Sequence, residues 1–187
     1  SLFEIATRST QRIQRLTKSL LDINRLESGQ PVTNLEALDP SKPLKNARLA
    51  LRTSAESKNQ QVSLQLSEDL PDIYADQDML ERVVINLLQN AIKFTPPEGK
   101  ISLGAAPEQD SIRFWVRDTG TGIDPEYKDK IFDKFTRIHP DERVKGLGLG
   151  LAFCRLAVEG HGGRIWVDNL PEGGAEFSFT IPLVNQP

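Results

Sequence analysis

The sequence predicts an α+β fold: a two-layer α/β sandwich whose mixed, largely antiparallel sheet carries helices on one face, preceded by one long α-helix. Three observations lead to this prediction. An amphipathic repeat covers residues 1 to about 28, and a second helical pattern covers residues 77–94. Short runs in which apolar and polar residues alternate mark several strands, among which 100–106 and 111–118 flank a turn at 107–110.

The composition is that of an ordinary globular protein. At about 150 residues per domain, the 187 residues correspond to roughly 1.2 domains. The net charge of −3 gives no electrostatic reason to bind nucleic acid or an anionic membrane surface. Cys154 is the sole cysteine, which excludes an internal disulfide, and no apolar run approaches the ~20 residues of a membrane span. No signal-peptide pattern opens the chain, so we expect a cytoplasmic domain.

The first helix carries an apolar stripe at steps of three and four residues. The stripe contains Leu2, Ile5, Ile13, Leu16, Leu20, Ile23 and Leu26. Ser28-Gly29-Gln30-Pro31 ends the helix, because glycine suits a left-handed C-cap and proline cannot continue the helix. The narrow stripe favours a bundle helix that seeks a partner, over an amphipathic helix packed on its own domain.

The remaining elements follow from capping and breaking signals. After a connector to about residue 38, Asp39-Pro40-Ser41 opens a helix from about 43 to 58, and Asp76 caps the helix 77–94. The other predicted elements are a strand over 62–66, an extended piece at 73–75, the strands 100–106 and 111–118, a loop-rich stretch over 119–147, a helix at about 149–161 and the strands 164–169 and 175–182.

Polar residues share one face of the helix 77–94. Asn86, Asn90 and Lys93 are four and three residues apart, so they face the same way, with Glu81 further upstream. Amide oxygens are hard ligands suited to Mg²⁺, and a lysine ammonium suits phosphate oxygens. Taken alone, two asparagines on a helix are more often part of a solvated surface than of a metal site.

Two glycine-rich segments follow. Asp118-Thr119-Gly120-Thr121-Gly122 comes directly after the strand 111–118, where a carboxylate can accept from an exocyclic amine and glycines let the backbone approach a planar ligand. Gly146-Leu147-Gly148-Leu149-Gly150 opens the helix 149–161, whose N-terminal amides can meet phosphates. Between them, Phe132 and Phe135 can anchor one end of a mobile lid that carries Arg137. A common turn, a flexible hinge and plain core packing are the structural alternatives for these three features.

The ordered set resembles the catalytic ATP-binding domain of sensor histidine kinases, within the superfamily that includes gyrase, Hsp90 and MutL. The N box is matched by 86–95, the G1 box by 118–122, the F box by 132–135 and the G2 box by 146–150, and a weaker glycine motif stands at 173–177. The resemblance implies a Bergerat-type ATP-binding fold. It also implies three segments: 1–30, the second helix of a dimerisation and phosphotransfer hairpin; 31–39, a linker; and 40–187, the catalytic domain.

The resemblance implies roles residue by residue. Asn90 would ligate Mg²⁺, with Asn86 supporting the metal and phosphate shell, and Lys93 would contact phosphate. Phe94 would lie against the adenine, and Asp118 would accept from its amine. Lys93 and Arg137 would be the catalytic residues. The further nucleotide-binding residues would be Gly120, Gly122, Ile123, Arg137, Gly146, Leu147, Gly148, Leu149 and Gly150.

The implied reaction is in-line transfer of the γ-phosphoryl group of ATP to a histidine nitrogen, which leaves ADP. Neither histidine fits the acceptor: His139 falls in the lid and His161 precedes Gly162-Gly163, a structural position in the family. We therefore expect the acceptor on a hairpin helix of the same or a partner protomer, a homodimeric full-length protein, and onward transfer to a response-regulator receiver domain. The parent protein is either soluble or anchored to the inner membrane. Leu147 replaces a usual Ser or Thr, which should weaken phosphate binding without abolishing it.

Three competing functions remain. An ATP-hydrolysing machine of the same superfamily needs a glutamate four residues before the metal-binding asparagine, where this chain has Asn86, and a serine kinase of the anti-sigma-factor type does not call for the leading helix. A degenerate pseudokinase or dimerisation module would bind no nucleotide. Steady ATP turnover without an acceptor would favour the first, and absence of nucleotide binding the last.

Overall fold

The computed structural model describes residues 2–136 and 148–183, and it confirms the predicted α+β sandwich. The helices are α1 (Leu2–Glu27), α2 (Ser41–Ala50), α3 (Arg52–Glu56), α4 (Gln77–Phe94) and α5 (Gly150–Gly160), with two 3₁₀ turns at Pro125–Tyr127 and Lys130–Phe132. The strands are β1 (Glu36–Leu38), β2 (Gln61–Leu66), β3 (Ile73–Ala75), β4 (Lys100–Glu108), β5 (Ser111–Asp118), β6 (Ile165–Asn169) and β7 (Ala175–Pro182). No helix within these described ranges combines the length and apolarity that crossing a bilayer demands.

The main sheet has five strands in the order β2-β4-β5-β7-β6. The β2–β4 pair is parallel and the other pairs are antiparallel, which makes the sheet mixed and largely antiparallel. Alternation along β5 turns Ile112, Phe114 and Val116 into the core. There Phe114 stacks on Phe179 of β7 with ring centroids 4.7 Å apart. The helices α2, α4 and α5 cover this apolar face and bury most of it.

Three predicted boundaries are wrong in detail. The helix expected over 43–58 begins at Ser41 and breaks at Leu51, where ψ is 6°, so that α3 starts afresh and buries Ala55. The connector contains β1, which pairs antiparallel with β3 in a small second sheet. The hairpin turn is narrower than 107–110, because β4 continues to Glu108 and Gln109 takes a positive φ of 54°.

The helix α1 meets the sandwich through its C-terminal turns. Ile23 is fully buried and Leu26 packs against the core, whereas Ile13 and Leu21 are each 63% exposed. Arg82 of α4 bridges to α1 through an ion pair with Asp22 and a 2.8 Å hydrogen bond to Ser19. The apolar stripe is therefore shared between the chain's own domain and an exposed surface.

Candidate functional site

The helix α4 positions the polar face predicted from its sequence. The Asp76 carboxylate caps the helix by accepting from the Met79 N–H at 2.9 Å, and the helix runs without a break to Phe94. Asn86, Asn90 and Lys93 are half-buried along one side, while the apolar residues of the helix face the sheet. Glu81 is turned away from this face, because it accepts a hydrogen bond from Asn46 of α2 at 2.8 Å.

The start of α5 lies against the same face of α4. The Asn86 amide donates to the Gly150 carbonyl at 3.4 Å, and a Cβ on Gly150 would stand at ordinary contact distance, 3.5 Å, from Asn86. Within the described residues, no side chain caps the first turn of α5, where the positive end of the helix dipole lies. The structure thereby brings the N-box asparagine and the described part of the G2 box together.

Cys154 lies beneath this junction and is chemically inert there. It is fully buried, and its thiol lies 3.7 Å from the Val83 carbonyl. Burial raises the pKa of the thiol to about 12, although a hydrogen bond with Asn86 and the charge of Arg82 each lower it. The thiol therefore stays protonated and serves as a small packing group.

The carboxylate of Asp118 sits at the end of β5, close to the C-terminal end of α4. It is 6% exposed and accepts from the Gly120 N–H at 2.8 Å. Burial raises the pKa of Asp118, opposed by the backbone hydrogen bonds from Gly120 and Ala175. A buried carboxylate that still has acceptor capacity is a recognition group for an amine donor.

The segment 118–123, which we call the G1 loop, is packed against the end of α4. A Cβ on Gly120 would lie 2.8 Å from the Phe94 carbonyl, so only glycine allows this approach. Phe94 is 39% exposed, and the Lys93 ammonium lies 5.1 Å from the centroid of its ring. Phe94, Lys93 and the G1 loop thus form one wall of the site.

The described residues on either side of the predicted lid are joined by a backbone hydrogen bond. The Phe135 N–H donates to the Gly148 carbonyl at 2.9 Å, and Gly148 has a φ of +69°. A Cβ on Gly148 would lie 2.7 Å from the Thr136 carbonyl, and Leu149 beside it is buried. Arg137, Gly146 and Leu147, which complete the predicted lid and G2 box, lie outside the described residues, as does His139.

The two aromatics of the F box have different environments. Phe132 is buried and meets Phe177 edge to face with centroids 6.2 Å apart, whereas Phe135 is 62% exposed. Lys134 between them forms a 2.8 Å ion pair with Glu27 at the end of α1. Only Phe132 packs in the core, and exposed ion pairs link the segment to α1 through Lys134 and to α5 through Asp133.

His161 is a structural residue, as its position before two glycines indicated. Its Nε2 accepts from the Asp76 N–H at 3.0 Å, and its Nδ1 lies 2.7 Å from the Ala157 carbonyl. Burial lowers the pKa of His161, against the Ala157 hydrogen bond and the Asp76 charge. The ring therefore ties the end of α5 to the start of α4 in its neutral form.

Sequence reasoning did not identify the platform beneath the G1 loop. Asn169 at the end of β6 bonds both backbone groups of Ile123, and Gly174 lies under Asp118. The motif at 173–177 was the one signal that pointed to this turn. An asparagine 46 positions away from its partner has no sequence signature that would reveal the contact.

The chain is similar to known proteins in sequence and in fold. The profile of the family described as histidine kinase-, DNA gyrase B-, and HSP90-like ATPase matches residues 75–185, more than half of the chain. The adaptive-response sensory kinase SasA of Trichormus variabilis is 42% identical over 134 residues, which cover 71% of this chain and 33% of that protein. The sensor protein KdpD of Escherichia coli is 39% identical over 173 residues, which cover 92% of this chain and 19% of that protein. The chain thus spans about a third or less of these curated relatives.

Two solved structures are similar over nearly the whole chain. Full-length ShkA in complex with AMPPNP superposes with a TM-score of 0.83 at 29% identity, covering 96% of this chain and 37% of that one. The histidine kinase ThkA in complex with the response regulator protein TrrA superposes with a TM-score of 0.73 at 26% identity, covering 96% of this chain and 50% of that one.

Proposed function

Because the chain belongs to the family of histidine kinase-, DNA gyrase B- and HSP90-like ATPases, we propose that the cleft between α4, the G1 loop and the start of α5 is its ATP site. The named relatives are sensor kinases, and the domain is the ATP-binding catalytic domain of a histidine kinase. The observation that carries the assignment of the site is the buried Asp118 carboxylate, held by the Gly120 N–H beside the glycine-lined wall.

The base of the nucleotide is assigned to the wall formed by Asp118, Gly120, Gly122, Ile123 and Phe94. Asp118 would accept from the 6-amino group of adenine, because a carboxylate offers acceptors and no donor when ionised. Phe94 would cover the ring, since its side chain is half-exposed. These contacts select adenine over a base that carries an oxygen at the same position.

The phosphates are assigned to the opposite wall. The backbone N–H groups of Gly148, Leu149 and Gly150 lie at the start of α5, which begins at Gly150 and whose dipole favours an anion there. Lys93 supplies a positive charge on the facing helix. Gly146, Leu147 and Arg137 would extend this wall as the resemblance implies.

The donor set fits Mg²⁺. Asn90 and Asn86 lie on the same side of α4 as Lys93, and an amide oxygen is a hard ligand of the kind this ion takes. Mg²⁺ is usually held by one or two protein oxygens together with substrate phosphates, which matches a site this sparse. When bound, the ion would neutralise part of the negative charge of the phosphates.

The proposed reaction transfers the γ-phosphoryl group of ATP to a histidine of a hairpin helix in the same or a partner protomer. The bond between the γ-phosphorus and the bridging oxygen breaks, a phosphorus–nitrogen bond forms, and ADP leaves. Lys93 and Arg137 would stabilise the charge on the transferring group. His161 is not the acceptor, because both of its ring nitrogens are engaged in structural contacts.

The wider setting follows the relatives. Residues 1–30 are proposed to be one helix of the dimerisation and phosphotransfer hairpin, 31–39 the linker and 40–187 the catalytic domain of a homodimeric kinase. The ThkA structure contains a response regulator, and we propose that the full-length protein passes its phosphoryl group to such a receiver domain.

The substitution Asp118→Asn tests the site. The amide places a donor where adenine presents its own donor, and such an unpaired polar group costs about 1–3 kcal/mol, or roughly a 5- to 150-fold weaker affinity. Isothermal titration with ADP and with inosine diphosphate, each with Mg²⁺, should show that the wild type prefers ADP and that the variant loses this preference. Asp129→Asn, an exposed carboxylate further along the chain, is the matched control and should bind as the wild type does.

Two results would contradict the proposal. Undetectable binding of Mg²⁺–ADP by the wild type at millimolar concentration would leave only a partner-binding module. An unchanged preference in Asp118→Asn would remove the carboxylate from the adenine site. Incubation with ATP alone should leave no acid-labile phosphate on this chain, and its appearance would reassign the acceptor.

A further inference from the structure

Asn169 at the end of β6 holds the G1 loop by both ends of its amide. Its Oδ1 accepts from the Ile123 N–H at 2.8 Å, and its Nδ2 donates to the Ile123 carbonyl at 2.7 Å. The amide thus pairs with one residue as a neighbouring β-strand would. Ile123 belongs to the wall assigned to the base, so the clamp acts on the site itself.

The loop is also fitted sterically to the turn that follows Asn169. Gly122 has a φ of +73°, and a Cβ there would lie 2.9 Å from the Asn169 Oδ1. Gly174 has a φ of +91°, and a Cβ there would lie 1.9 Å from the Asp118 carbonyl. The turn is closed by the Leu170 N–H donating to the Gly174 carbonyl at 3.0 Å. The β6–β7 turn is therefore a platform on which the G1 loop rests.

The platform and the recognition carboxylate are linked through the loop. Asp118 is fixed by its place in β5 and by the Ala175 N–H, but its second backbone donor is Gly120, inside the loop. A loop released from Asn169 would let the Gly120 N–H move away from the carboxylate. The carboxylate would then lose the orientation in which it meets an exocyclic amine.

We propose that Asn169 is a positioning residue that sets the base selectivity of the nucleotide site. The inference rests on the proposed function, because it assigns Asn169 its effect through the Asp118 carboxylate. Asn169 is exposed, so its hydrogen bonds compete with water and their loss should loosen the loop without unfolding the sheet. A binding-competent loop that is populated only a tenth of the time would weaken apparent affinity about tenfold.

The test compares Asn169→Ala and Asn169→Asp with Asp168→Ala. Asp168 is the preceding residue, and its side chain is 64% exposed. Among the described residues it forms an ion pair only with Lys128, at 3.6 Å, so its variant is the matched control. Isothermal titration with Mg²⁺–ADP and Mg²⁺–inosine diphosphate measures selectivity, and amide hydrogen exchange at Ile123 measures the clamp.

Asn169→Ala should bind ADP about tenfold more weakly while inosine diphosphate affinity changes little, so that selectivity falls. Its Ile123 amide should exchange faster at an almost unchanged melting temperature. Asn169→Asp should lie between, because its carboxylate accepts from the Ile123 N–H but donates nothing to the carbonyl. Asp168→Ala should match the wild type.

Equal ADP affinity and selectivity in Asn169→Ala and the wild type would overturn this inference alone. An equal loss for both nucleotides, accompanied by a lower melting temperature, would reduce Asn169 to a structural role and overturn it as well. If the alanine variant does not fold, hydrogen exchange in the wild type decides instead. An Ile123 amide that exchanges as fast as the Thr121 amide would also overturn the inference. Failure of the wild type to bind ADP would overturn the proposed function and this inference together.

Discussion

Replacing His161 with Phe removes a single ring that joins two helices of the sandwich. The imidazole accepts from the Asp76 N–H at 3.0 Å and lies 2.7 Å from the Ala157 carbonyl. Phenylalanine retains a ring of similar size, so the loss of packing is small and the lost hydrogen bonds dominate. The Ala157 carbonyl keeps the His161 backbone N–H at 3.2 Å as a donor, whereas the buried Asp76 N–H loses its partner.

The magnitude follows from that asymmetry. One net hydrogen bond is worth about 1 kcal/mol, and a buried donor left unsatisfied costs about 1–3 kcal/mol, so the free energy of unfolding should fall by about 2–4 kcal/mol at pH 8. Burial lowers the pKa of His161 below its ordinary 6.5. The unfolded chain therefore binds a proton more readily, and the contribution of His161 is complete above pH 6.5 and declines as the pH falls below it.

Urea unfolding followed by circular dichroism at pH 5.5, 6.5, 7.5 and 8 measures the difference between wild type and variant. Asp39 and Glu176 have lowered pKa values and titrate below this pH range. Asp118 has a raised pKa, but it is present in both proteins, so its contribution cancels in the difference between them. The difference should shrink from pH 8 to pH 5.5. A difference that is constant with pH, or a His161 imidazole that titrates above 6.5 by nuclear magnetic resonance, would refute the reasoning.

Two further substitutions test the packing around the site. Arg82→Ala removes the ion pair with Asp22 and a guanidinium that lies 3.8 Å from the Phe153 ring centroid. The last turns of α1 should lose roughly 1–2 kcal/mol of local stability, so their amide hydrogens should exchange about tenfold faster. Unchanged exchange there would contradict it. Glu176→Gln breaks the ion pair with Arg117 and should cost about 1–3 kcal/mol at pH 7. Burial alone would raise the pKa of Glu176, but the hydrogen bond and charge of Arg117 outweigh it and lower the pKa. The difference in unfolding free energy between wild type and variant should therefore vanish as the pH falls well below 4.5. A difference in urea unfolding that stays constant with pH would count against this account.

Most element boundaries could be predicted because the chain marks them locally. Asp76 caps α4, and Gly162-Gly163 follows α5, so both helices lie within about a residue of their expected range. The break at Leu51 carries no glycine or proline signal, and it depends on how α3 seats Ala55 against the core. The strand β1 exists only because β3 pairs with it, a non-local condition that three residues cannot reveal.

The candidate site was likewise predictable only where the signal is local. Helical periodicity places Asn86, Asn90 and Lys93 on one face, and the structure has them there. The approach of Gly150 to Asn86 joins segments 64 positions apart, and the resemblance to a family anticipated it where spacing could not. Neither spacing nor the family resemblance predicted the Asn169 clamp. Its partners are the backbone N–H and carbonyl of Ile123, groups that nearly every residue carries.

The stripe on α1 shows why periodicity alone leaves a partner undetermined. Successive residues on a helix are turned by about 100°, so Ile23 and Leu26 project to one edge of the stripe and Ile13 and Leu20 to the other. The structure buries Ile23 in the chain's own domain but leaves Leu20 39% and Ile13 63% exposed. The residues of α1 that pack on the sandwich therefore differ from those left exposed for another helix, and they lie nearer the C-terminal end of α1. The hairpin mate that we propose for α1 would therefore bind the exposed turns without displacing α1 from the catalytic domain. The ion pair between Glu27 and Lys134 would remain in place and link α1 to the segment that precedes the predicted lid.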